Sequence, residues 1–156
     1  MKEYRANLDG RGKTFSIVIS RFNETISQKL LEGCLKGLTE KNVDEDKVSV
    51  YWVPGAFEIP TAANKIAKEK KQDTIICLGC VIRGETPHFD YICQTLSSGI
   101  ACVSRDYGLP VIFGVLCVNT PLQANERAGA DSKNNKGYDA ALAAIEMANF
   151  FNKLAF

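Results

Sequence analysis

The chain is expected to fold as an α/β protein, a three-layer sandwich with helices on both faces of a four-stranded parallel sheet. Three observations predict it. Four aliphatic and β-branched runs are each followed by a stretch whose apolar residues recur at helical spacing. Strands that alternate with helices pair in parallel through right-handed crossovers, which puts helices on both faces. And 156 residues suffice to bury one substantial core, so a single domain over 1–156 is expected, with 1–13 as an extended arm.

The elements follow in order. Thr14–Ser20 (TFSIVIS) is a β-branched run and so a strand. Residues 23–41 place Ile26, Leu30, Leu31, Cys34, Leu35 and Leu38 on one helical stripe. Lys47–Gly55 (KVSVYWVPG) is a second strand closed by Pro54 and Gly55, and Phe57–Lys70 is a helix with Ile59, Ala62, Ala63, Ile66 and Ala67 on its stripe. Asp73–Ile82 is the third strand, His88–Gly108 the third helix and Pro110–Val118 the fourth strand. Thr120–Gly129 is a short helix and Asn135–Leu154 a long one. The simplest strand order is 2-1-3-4, the flavodoxin-like arrangement.

Composition narrows the function classes. Lys and Arg number 19 against 18 Asp and Glu, a net charge of +1, so no field favours nucleic acid or an anionic membrane. No segment has the apolar length to cross a bilayer, and residues 1–13 lack the apolar run of a signal peptide, so a cytoplasmic location is expected. The six cysteines sit inside apolar runs, which suits reduced, buried thiols. Cys77 and Cys80 form a C-x-x-C, but in a strand residues three apart point to opposite faces, and no further ligands complete a zinc site. No metal is expected. The last helix is apolar around most of its circumference, more than one sheet face can cover, and with the arm it points to an oligomer.

In an open parallel sheet ligands bind beyond the carboxyl ends of the strands. Those ends read SRFNET, VPGAFE, CVIRGETPH and FGVLCVNT. At the third, Thr86 suits an N-cap, Pro87 the first helical position, and His88, the only histidine, falls in the first turn. The positive helix end disfavours imidazolium, so His88 is either a neutral general base or a surface histidine at a helix start. The same N–H groups with Thr86 Oγ and Gly84 suit an anion. Phe22 either stacks on a planar ring or staples the next helix; Glu58 either accepts hydroxyl hydrogen bonds or favours its helix end by charge. Arg127 either grips an anion bidentately or is a solvated surface charge. No G-x-G-x-x-G or Walker loop is present, which disfavours dinucleotides and nucleoside triphosphates.

Taken together, RFN, VPGAFEIP, LGCVIRGETPHFDYI, FGVL, QANERAG and NKGYDAALAAIEM, in this order over nearly the whole chain, resemble the lumazine synthase family of riboflavin biosynthesis. The resemblance implies condensation of 5-amino-6-(D-ribitylamino)uracil with 3,4-dihydroxy-2-butanone 4-phosphate, releasing phosphate and water, with no cofactor. It implies that Phe22 stacks on the pyrimidine and that Ala56, Phe57 and Glu58 hold the ribityl chain. Cys80, Val81 and Ile82 line the ring pocket, Glu85 and Thr86 bind phosphate with Arg127, and His88 moves protons. Phe113, Arg127 and Lys136 come from a neighbouring subunit in a homopentamer, itself expected to build a sixty-subunit shell, with riboflavin synthase raised as a protein partner. One departure concerns RAGADSKNNKG, one residue longer than the family's common form, in a segment tied to how pentamers assemble and to the phosphate contact of Lys136. Two competing readings use the same frame: a flavin- or phosphate-binding module, which would want a Ser/Thr-rich loop after the first strand, and an inert shell, which would need neither Phe22, Glu58, His88 nor Arg127.

Overall fold

The computed structural model describes residues 1–154. Its centre is β1 (Phe15–Ser20), every residue of which is buried. That burial follows from position: β1 pairs in parallel with β2 (Val48–Val53) on one side and β3 (Thr74–Ile82) on the other. β4 (Val111–Val118) then pairs in parallel with β3, which gives the order β2-β1-β3-β4. The expected sheet is therefore the observed one. Parallel strands buried on both faces read as near-continuous apolar runs, and β1 and β3 do so apart from the buried Ser16, Ser20 and Thr74.

The two faces carry different helices. Phe15, Ile17, Ile19, Ile76 and Leu78 pack against α1 (Glu24–Glu40) and α5 (Lys136–Lys153) through Leu31, Cys34, Leu38, Ala141 and Ile145. Val18, Ile75, Cys77 and Val115 pack against α2 (Ile59–Lys68) and α3 (His88–Tyr107) through Ile59, Ala63, Leu96 and Ile100. A smaller cluster seats α4 (Pro121–Arg127) over the ends of β3 and β4, with Ile26, Leu30, Cys80, Leu116, Val118 and Ala124. α1 and α5 approach closely because Gly137 has no side chain: a Cβ there would fall 1.9 Å from the Leu30 carbonyl oxygen.

The start of α2 and the cap of α3 differ from expectation. Ala56–Glu58 form a 3₁₀ turn, and α2 runs only from Ile59 to Lys68, since Pro60 suits a first turn. α3 begins at His88, with Pro87 just outside it; Thr86 Oγ1 accepts from the His88 N–H at 3.4 Å. The arm lies along its own chain: Asn149 Nδ2 donates to the carbonyls of Asn7 and Asp9 at 3.1 and 2.9 Å, and Lys153 Nζ to that of Arg5. Two surfaces remain thinly covered. β2 is an edge strand with Val50, Tyr51 and Trp52 exposed, and α5 leaves Phe151 exposed and Met147 and Phe150 half-buried.

Candidate active site

Three strand ends and one helix start converge on a cleft of about 690 Å³. After β1 the backbone continues its ladder: Arg21 N donates to Val53 O at 2.9 Å and Phe22 N to Pro54 O at 3.2 Å. Asn23 then turns into the left-handed region, φ 59°, and its Nδ2 donates to the Cys80 carbonyl at 2.9 Å. These bonds present Phe22 outward, 72 % exposed, as one wall. An exposed ring held by its backbone is a ready stacking platform.

The second wall is Gly55, Ala56, Phe57 and Glu58. A Cβ on Gly55 would stand 2.9 Å from Glu58 Oε2, so glycine leaves that carboxylate its space at the rim. The floor is Cys80, Val81 and Ile82 at the end of β3, and the far side is Gly84, Thr86, His88, Phe89 and Ile92. Phe22, Ala56, Phe57, Glu58, Cys80, Val81, Ile82, Thr86 and His88, each singled out in the sequence, thus line one cleft. Gly84, expected beside an anion, lines it too, while Gly55, Phe89 and Ile92 were missed as site residues. Ile92 stands one helical turn after His88, so helical spacing was an available signal; Phe89 had none. Glu85 sits exposed in the same loop but does not line the cleft.

Phe113, Arg127 and Lys136 are elsewhere. They line a second cleft, about 570 Å³, along the outer edge of β4 between α4 and α5. Arg127 Nη1 donates to the Gln123 carbonyl at 3.1 Å and stands 3.7 Å from Glu126, while Lys136 Nζ pairs with Asp139 at 2.8 Å. Among the described residues, those lining the strand-end cleft include Glu58 and His88 but no lysine or arginine. Its lining is otherwise apolar or small, which suits a planar ring held by a few polar groups.

The thiols behave as hydrophobes. Cys77 points into the α2/α3 side and Cys80 to the α4 side, and burial pushes them up to about 12 and about 11. A redox pair needs the opposite shift. Among the described residues no cluster of His, Cys, Asp and Glu could hold a metal ion, and no helix is long and apolar enough to cross a membrane.

Comparison with known proteins completes the picture. Residues 12–152 match the model of the family described as 6,7-dimethyl-8-ribityllumazine synthase. Two curated proteins of that name, from two strains of Clostridium kluyveri, are each 52 % identical over 154 residues, covering 99 % of this chain and 99 % of their own.

Proposed function

The chain belongs to the 6,7-dimethyl-8-ribityllumazine synthase family, and we propose that its strand-end cleft performs the family's condensation with cations supplied by a neighbouring copy. The observation that carries this reading is the convergence of Phe22, Glu58, Cys80–Ile82 and His88 on one cleft.

The pyrimidine of 5-amino-6-(D-ribitylamino)uracil stacks on Phe22 and meets the main chain of Cys80, Val81 and Ile82. Its ribityl hydroxyls run along Ala56 and Phe57 toward Glu58, whose carboxylate accepts from them. The phosphate of 3,4-dihydroxy-2-butanone 4-phosphate lies at the α3 start, against the N–H groups after Glu85, the Thr86 hydroxyl and Gly84, where the helix end favours negative charge. Charge neutralisation comes from Arg127 and Lys136 of the next subunit.

The primary amine of the pyrimidine attacks the ketone and water leaves, forming an imine. A proton then departs from the hydroxyl-bearing carbon beside the imine, phosphate leaves from the next carbon, and the resulting enol becomes a ketone. The ribityl-bearing nitrogen closes on that ketone with loss of water. His88 carries protons between these centres. Holding two substrates in register supplies much of the acceleration, because it replaces a bimolecular encounter.

A homopentamer is part of this reading, supported by the two separated clefts, the exposed edge of β2 and the incompletely covered face of α5. A shell of sixty subunits is its extension, with a cytoplasmic location suited to the free, buried thiols of Cys34 and Cys77. The test is to mix the purified protein with both substrates and follow fluorescent lumazine together with phosphate, with sedimentation alongside. Product in step with phosphate from a pentamer or larger is expected. An assembled protein that binds flavin and forms no product would overturn the reading, and a monomeric active protein would overturn its shared-site part.

A further inference from the structure

Arg83 was not among the candidate residues, yet its side chain meets Asp90, Asn119 and the cleft-lining Phe89. It is the first residue past β3, and its N–H donates to the Val118 carbonyl at 2.9 Å, one step beyond the β3–β4 ladder. Its guanidinium grips the Asp90 carboxylate with both terminal nitrogens, at 3.1 and 2.9 Å. Nε donates to Asn119 Oδ1 at 3.0 Å, and the group lies 4.2 Å from the centroid of the Phe89 ring. One planar fork therefore ties the end of β3, the end of β4 and the first turn of α3.

His88 stands in that turn, directly before Phe89 and two residues before Asp90. The intervening loop has little else to hold it. An added Cβ at Gly84 would meet nothing within 4 Å, Glu85 is exposed, and the Thr86 bond to His88 N–H is long at 3.4 Å. Stacking on Phe89, whose ring lines the cleft, and bidentate hold on Asp90 fix both the rotation of the turn and its distance from the floor at Cys80–Ile82.

We propose that Arg83 is a positioning residue for the condensation: it touches no substrate and sets where His88 stands relative to a pyrimidine held by Phe22. The inference rests on the function proposed above. It also predicts that the effect separates from stability, because the ion pair is solvent-exposed and such pairs add little to folding.

The test compares wild type, Arg83→Met, Arg83→Lys and Asp90→Asn in kcat, in KM for each substrate, in thermal midpoint and in sedimentation. Arg83→Met is expected to lower kcat by roughly 10- to 100-fold, the scale of a small misplacement of a proton-transfer group. KM for the pyrimidine should stay within about twofold, because Phe22 is held by a different loop. Arg83→Lys should recover part of the loss, since it keeps the charge facing Asp90 and loses the fork. Asp90→Asn, which keeps the shape, should lower kcat in the same direction, and it decides alone if Arg83→Met fails to assemble. Unchanged kcat in Arg83→Met and Asp90→Asn would overturn the inference. So would a fall in kcat that Arg83→Lys does not relieve and that tracks a fall in thermal midpoint. Absence of product from the wild type would instead overturn the functional reading, and this inference with it.

Discussion

The strand-end cleft and the β4-edge cleft are opposites in chemistry. The first is lined by aromatic, aliphatic and small residues around Glu58 and His88; the second holds Arg127 and Lys136 beside Phe113. Neither alone suits a planar pyrimidine joined to a phosphorylated ketone. A ring needs an apolar wall, while a phosphate needs cations, and cations beside an empty apolar wall would be costly to desolvate. In the pentamer proposed above, dividing the two between separate clefts of one subunit would let each keep a favourable environment until a neighbour's copy is brought to it. On that proposal the reaction would depend on a heterologous, ring-forming contact, in which one face of a subunit meets a different face of the next.

The sharpest way to break this comparison is at His88, the polar centre of the apolar cleft. His88→Ala is expected to lower kcat by about 10²- to 10⁴-fold, the usual contribution of a positioned proton-transfer group. Some turnover should remain, since register between the substrates survives. Single-turnover fluorescence, with assembly checked by sedimentation, measures both; complete loss of activity in an intact assembly would mean that proton transfer, rather than positioning, dominates.

Arg127 tests whether the two clefts truly meet across subunits. Among the described residues the Arg127 guanidinium hydrogen-bonds only through Nη1, to the Gln123 carbonyl; if it grips the phosphate, Arg127→Met should raise KM for the phosphorylated ketone by roughly 10- to 100-fold, the scale of a charged hydrogen bond. Co-assembling Arg127→Met with His88→Ala then separates two geometries. If the cations come from a neighbour, about a quarter of the sites in a random mixture hold an intact pair, and activity exceeds that of either homogeneous assembly. Activity equal to the average of the two would place both residues in one subunit's site.

The different legibility of the two clefts has a physical basis. The sheet order and the helix faces could be read because periodicity reports burial along a single element: Ile17, Ile19, Ile76 and Leu78 alternate into one face, and Cys77 and Cys80 fall on opposite faces as strand geometry demands. The strand-end cleft was legible because parallel topology gathers strand ends. What local spacing could not show was contact that crosses between elements. Arg83 reaches Asp90 and Asn119 across a loop and a strand gap, and Asn23 reaches the Cys80 carbonyl, with no pattern in the chain to announce either. In the second cleft Arg127 stood out as a possible anion grip from its own chemistry, whereas Phe113 and Lys136 were reached only through family resemblance, since the three share no periodicity.

Lys136 offers the smallest effect and the finest distinction, because it separates charge from geometry within the cationic cleft. Its ammonium is held at 2.8 Å by Asp139, whereas the nearest carboxylate to Arg127, on Glu126, stands at 3.7 Å. A phosphate entering the cleft meets Lys136 with its charge already offset, and a compact ammonium cannot present the second, parallel donor that the guanidinium keeps. Lys136→Met should therefore raise KM for the phosphorylated ketone only about two- to fivefold, in keeping with an exposed, paired charge. Asp139→Asn should lower the same KM by about twofold, since it leaves the ammonium uncompensated at little cost to folding. Steady-state KM at low and high salt measures both, and the differences should shrink as salt screens them. A Lys136→Met effect as large as that of Arg127→Met would show that charge alone holds the phosphate and that the fork geometry of Arg127 adds nothing.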